Sequence, residues 1–140
     1  MEVSTHSTQE TKELAFEIAK KIAKGDIIAL YGDLGSGKTT FARFLVEAMG
    51  LKCRVQSPTF VIARRYKGDN LVMNHVDLYR LSSKKEAEDI GIEEFLNNQE
   101  NITVIEWPEI IEDMLPKKTI RIYFEDAGEN ERKIKIQNLY

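Results

Sequence analysis

Leu14, Ile18 and Ile22 recur every four positions with Ala15, Ala19 and Ala23 beside them, so one stripe of an otherwise polar segment is apolar. The spacing predicts a helix over about 8–24, opened by the capping-box sequence Ser7-Thr8-Gln9-Glu10 and stopped at Gly25. Ile27 to Tyr31 is then apolar at every position, the pattern of a parallel strand buried on both faces. After a glycine-rich turn, Phe41, Phe44, Leu45, Ala48 and Met49 share one helical face that runs out at Gly50. Thr59 to Tyr66 and Leu71 to Asp77 are predicted as strands of a hairpin around Gly68-Asp69-Asn70. A helical region including Lys84 to Phe95 precedes a second buried strand, Ile102 to Ile105, which Pro108 helps to end. Two alternating segments, Thr119 to Phe124 and Arg132 to Ile136, read as a closing hairpin. These elements predict one α/β domain over 1–140, with a mixed, mainly parallel sheet flanked by helices.

Composition narrows the class without changing that picture. A length of 140 residues with 42% hydrophobic positions suffices for one core and excludes a globally disordered chain. The formal net charge of −3 leaves no overall cationic field for non-specific nucleic-acid binding. The single cysteine, Cys53, cannot close an intrachain disulfide, and with His6 and His75 it has no zinc-site spacing. The polar start is unlike a secretory signal, and the apolar runs are far shorter than the roughly 20 residues of a membrane span. A cytoplasmic location is the expectation.

Chemistry enters at Gly32-Asp33-Leu34-Gly35-Ser36-Gly37-Lys38-Thr39, which matches G-x-x-x-x-G-K-[ST] between a buried strand and an amphipathic helix. That context makes the fold P-loop NTPase-like. Glycines let the backbone N–H groups of Gly35, Ser36 and Gly37 curl around a phosphate, and the helix N-terminus adds its partial positive charge. The Lys38 ammonium is placed to reach terminal phosphates, and the Thr39 hydroxyl to ligate Mg2+. Phosphoryl transfer also requires a held cation and an oriented nucleophile. Two strand-end acids qualify: Glu106, to hold magnesium directly or through water, and Asp77, to orient the attacking water or accept its proton.

Four segments carry a family resemblance: Tyr31-Gly32-Asp33-Leu34-Gly35-Ser36-Gly37-Lys38-Thr39-Thr40, Ser57-Pro58-Thr59-Phe60, His75-Val76-Asp77-Leu78-Tyr79-Arg80-Leu81, and Ile105-Glu106-Trp107-Pro108. In order and spacing they resemble the bacterial TsaE (YjeE) ATPases of tRNA threonylcarbamoyladenosine biosynthesis. The resemblance implies an ATP-binding subunit that works with TsaB and TsaD on the adenosine beside the anticodon, touching tRNA only through the complex and turning over weakly alone. It further implies that Lys38 contacts phosphates, that Thr39 and Glu106 coordinate magnesium, and that Asp77 lies near the terminal phosphate. Thr59 belongs to a switch-like loop on this view, Thr40 extends the phosphate contacts, and Ser7 or Thr11 borders the adenine.

Several residues have plainer roles. Trp107 and His75 are expected chiefly in packing, with His75 also placed to tune Asp77. Lys52, Arg54, Arg64, Arg65 and Lys67 form an acid-free basic interval, whereas Glu86 to Pro116 holds ten acids and no Lys or Arg. These are two solvated faces, or patches that steer docking to TsaB, TsaD or tRNA. Arg43, Arg64, Arg65 and Arg80 all stay open as an arginine finger, as does a partner's residue. Two other functions share the motif: a small-molecule kinase, for which the chain leaves little room for an acceptor domain, and a non-hydrolysing nucleotide switch. No Asn-Lys-x-Asp guanine reader occurs, and adenine is preferred mainly by the resemblance.

Overall fold

The computed structural model describes residues 1–56 and 63–139. In chain order the elements are β1 (Glu2–Thr5), α1 (Thr8–Ala19), β2 (Ile27–Tyr31), α2 (Lys38–Ala48), β3 (Cys53–Gln56), β4 (Ala63–Lys67) and β5 (Val72–Asp77). There follow α3 (Lys84–Asp89), α4 (Ile92–Leu96), β6 (Ile102–Glu106), a 3-10 helix (Pro108–Met114), β7 (Ile120–Gly128) and β8 (Glu131–Gln137). The eight described strands make one sheet in the order β1-β8-β7-β2-β6-β5-β4-β3. Its four central strands, β7, β2, β6 and β5, are mutually parallel, and the outer pairs are antiparallel. This is the mixed sheet expected, with parallel pairing confined to the middle.

Alternation along the strands divides the core between two faces. Ile28 and Leu30 of β2, with Ile102 and Val104 of β6, pack on Ala15, Ile18, Phe41 and Leu45 of α1 and α2. Ile27, Ala29, Val76 and Ile105 point the other way, onto Ala87, Ile92, Leu96 and Ile111. All five β2 residues are buried, which is why that strand reads as an unbroken apolar run. β2 and β6 lie side by side with Leu30 opposite Glu106, so the glycine-rich turn and the strand-end acid leave the sheet at the same edge.

The structure departs from the predicted elements in identifiable places. Helix α1 stops at Ala19 because Lys21 and Ile22 donate to the carbonyls of Ile18 and Ala19, tightening the chain, while the Ala23 N–H turns to Asp26 Oδ2 at 2.8 Å. Ile22 still packs on the core, so its place in the apolar stripe is real although it is not helical. The 84–95 helix is two short ones, broken at Gly91 with φ 87. Strand β1 was not expected from its polar sequence; it is held by pairing with β8. Of the first predicted hairpin strand, 59–62 lie outside the described residues, and β4 runs one residue further, to Lys67.

Candidate functional site

The turn leaving β2 depends on glycine. Gly32 has φ 148, and a Cβ there would fall 2.6 Å from Ser36 Oγ and 2.8 Å from the Phe124 carbonyl oxygen, both closer than atoms approach. Gly35 and Gly37 are left-handed, with φ 78 and 103. The Ser36 N–H closes the loop onto the Asp33 carbonyl at 3.1 Å, and α2 begins at Lys38 with no side-chain cap on its first amides. An uncapped helix start that follows a glycine loop offers its N–H groups to an anion.

Lys38 is buried at the base of this loop. Its Nζ donates to the Gly32 carbonyl and lies 3.4 Å from the centroid of the Trp107 ring. Burial pulls its pKa below the usual lysine value, although Glu106, Glu109, Asp77 and Asp33 all favour the cation. Trp107 itself sits at φ 58, ψ 54, a left-handed conformation that turns the chain from β6 into the 3-10 helix and lays the indole on Lys38.

Glu106, the last residue of β6, is 2% exposed. It accepts from Thr39 Oγ1 at 2.9 and 3.1 Å, and its Oε2 lies 2.6 Å from His75 Nε2. Burial alone would raise its pKa; the His75 contact, the Thr39 hydroxyl and the Lys38 charge prevail and hold the carboxyl below its ordinary value. His75 therefore serves Glu106 rather than Asp77. A hydroxyl and an ionised carboxylate converging beside a phosphate loop are a hard, all-oxygen donor set that suits magnesium.

Asp77 ends β5 directly opposite Glu106 in the parallel register and is half-buried, with Oδ1 accepting the Tyr79 N–H at 3.0 Å. Asp77, Lys38, Thr39, Thr40 and Glu106 line one cleft with Trp107. On the other side of the loop Thr8, Thr11, Thr40, Phe44, Phe124 and Asn130 surround a second hollow. Thr11 lines this hollow, and its hydroxyl is engaged by Thr5 Oγ1 at 2.8 Å and by the Ser7 carbonyl. The Ser7 hydroxyl caps α1 by accepting the Glu10 N–H at 3.1 Å. Thr59 lies outside the described residues. One residue escaped sequence reasoning altogether: Arg132 of β8, whose Nε donates to the Ser36 carbonyl at 2.9 Å.

The family model described as "Threonylcarbamoyl adenosine biosynthesis protein TsaE" matches residues 5–134. The chain belongs to the TsaE family. It is 38% identical to the Bacillus subtilis (strain 168) tRNA threonylcarbamoyladenosine biosynthesis protein TsaE, over 93% of this chain and 80% of that protein. Identity to the Rickettsia felis TsaE is 41%, over 91% and 74%. The Treponema pallidum TsaE is 31% identical, over 97% and 99%. Among solved structures, Bacillus subtilis YdiB superposes with a TM-score of 0.77 at 32% identity, covering 97% of this chain and 83% of that one. The TsaE likeness therefore spans nearly the whole chain, including the C-terminal hairpin that packs on the glycine loop.

Proposed function

We propose that this TsaE chain is the ATP-binding and ATP-hydrolysing subunit of the cytoplasmic machinery that makes threonylcarbamoyladenosine in tRNA, acting with TsaB and TsaD and meeting tRNA only through that assembly. The observation that carries the proposal is the contact of Thr39 with Glu106 at 2.9 Å beneath a glycine loop that also holds Lys38. Loop amides and Lys38 would hold the ATP phosphates, and Thr39 and Glu106 would hold Mg2+, which neutralises charge on the transferred phosphoryl group.

The two acids divide the work by environment. A carboxylate whose pKa is held down is a poor proton acceptor, so Glu106 suits cation binding. Asp77 is the remaining acid at the strand ends of this cleft and is assigned to orienting the attacking water. Thr59 is assigned to a nucleotide-sensitive loop on family resemblance alone. The exposed Arg64, Arg65 and Lys67 of β4 offer a basic edge for docking.

The test is reconstitution with TsaB and TsaD, following Mg2+-dependent phosphate release and tRNA modification together. Stimulated release that is lost in Lys38→Ala and strongly reduced in Asp77→Ala is expected. A phosphorylated metabolite in place of free phosphate, or full activity in Asp77→Ala, would refute the corresponding part.

A further inference from the structure

Arg132 stands 96 residues from Ser36 in sequence, yet its guanidinium lies against the glycine loop, where it lines both the cleft with Lys38 and the hollow beside Thr11. Nε donates to the Ser36 carbonyl at 2.9 Å, and one terminal nitrogen reaches the Gly35 carbonyl at 3.4 Å. The other terminal nitrogen donates to the Glu131 carbonyl at 2.8 Å and meets Asp126 Oδ1 at 3.4 Å, which anchors the head on the β7–β8 hairpin. A Cβ on Gly37 would lie 3.6 Å from Nε, an ordinary contact, so it is the left-handed φ of 103 and not the nearness of Arg132 that calls for glycine there.

We infer that Arg132 is a positioning residue for nucleotide binding, holding the Ser36–Gly37 peptide in the orientation that aims the Gly37 N–H at the phosphates. This rests on the nucleotide-binding reading above. In a trans peptide the carbonyl of one residue and the N–H of the next point in opposite directions. Fixing the Ser36 carbonyl on Arg132 therefore fixes the Gly37 N–H on the side away from the guanidinium. The neighbouring peptide is set differently, since the Ser36 N–H is already held by the Asp33 carbonyl. Arg132 thus holds a loop peptide that the Asp33 turn does not hold, and it ties that peptide to the C-terminal hairpin. It is distinct from an arginine finger: it acts on the loop backbone, and through it on whichever phosphate the loop holds.

That distinction sets the experiment. Calorimetric titration of the full chain with MgADP and with a non-hydrolysable Mg-ATP analogue is carried out for wild type, Arg132→Gln, Arg132→Lys and the control Lys133→Gln, whose side chain is exposed on the opposite face of β8. Losing a charge-assisted hydrogen bond predicts about tenfold weaker binding of both nucleotides in Arg132→Gln, by the same factor, with Lys133→Gln unchanged. Arg132→Lys keeps the charge beside Asp126 and loses the planar fork, so it should recover only part of the affinity. In ligand-free protein the Gly37 amide resonance should shift in both Arg132 variants while the unfolding midpoint stays near wild type. Wild-type affinity for both nucleotides in the Arg132 variants would overturn the inference alone, and loss confined to the ATP analogue would replace it with direct action on the terminal phosphate. A wild type that binds neither nucleotide would overturn the nucleotide-binding reading itself.

Discussion

Removing the imidazole of His75 probes the buried pair on which the acidic half of the site depends. Its Nε2 lies 2.6 Å from Glu106 Oε2, and the two side chains are 5% and 3% exposed, so water does not substitute for the lost partner. Deleting the hydrogen-bond partner of a buried carboxylate costs about 3 kcal/mol or more when the charge is left stranded. Glu106 is not fully stranded, since Thr39 still donates to it and Lys38 still supplies charge. The expected loss for His75→Ala is therefore smaller, about 2–3 kcal/mol, close to that of one hydrogen bond to a charged group plus some packing. Urea unfolding of the ligand-free protein at neutral pH, with Glu106→Gln and the double variant completing a cycle, measures it. A coupling energy of at least about 1 kcal/mol is expected. The pH dependence has a definite sign. Because the folded pKa of Glu106 lies below the ordinary glutamate value, its ionised form contributes stability that is fully present above that ordinary value. That contribution is lost as pH falls through the folded pKa, so the stability gap between wild type and Glu106→Gln should narrow in acid. Near-zero coupling at neutral pH, or a gap that widens on acidification, would refute this account of the pair.

Other perturbations test separate parts of the structure. Gly32→Ala drives a methyl into Ser36 Oγ and the Phe124 carbonyl in a glycine-favouring conformation, which predicts a stability loss of roughly 2–5 kcal/mol together with lost nucleotide affinity; unchanged unfolding and binding would refute the close approach. Tyr31 donates to Glu112 at 2.7 Å and accepts from Arg121 at 3.2 Å, and burial with the Glu112 carboxylate pushes its phenol pKa well above ordinary values. Tyr31→Phe should therefore cost about 1 kcal/mol in urea unfolding and leave nucleotide affinity intact; reduced affinity would mean that this network also sets the loop. In the reconstituted system, Glu106→Ala should weaken magnesium-dependent turnover, visible as a shift of the Mg2+ titration to higher concentration; equal titrations would remove Glu106 from cation binding.

What was legible in the sequence was local. The run Ile27 to Tyr31, the glycine motif and the stripe from Phe41 to Met49 are contiguous, and each carries its own period, so strand, loop and helix follow from position alone. Glu106 was legible because an acid ending an apolar run lies at the ligand edge of a parallel sheet. Boundaries failed where tertiary contacts decide them. Helix α1 gives way to tighter turns before its apolar stripe ends, and β1 exists because β8 offers it a pairing edge. The Arg132 contact was illegible for the same reason: it requires β8 to be two strands from β2, a placement that no local pattern encodes. The buried, hydrogen-bonded state of His75 agrees with a structural role, but its partner was not legible: position 77 on its own strand face is visible in the sequence, whereas Glu106 on the neighbouring strand β6 is not.

The central claim is that the loop from Gly32 to Thr39 binds nucleotide phosphates around Lys38. Calorimetric titration of the ligand-free chain with Mg-ATP, run on wild type and on Lys38→Ala, tests it most directly. Saturable one-to-one binding to wild type, weakened at least about tenfold in Lys38→Ala while both proteins unfold cooperatively, is the expected result. Absence of heat with folded wild type, or equal affinity in the two proteins, would contradict it.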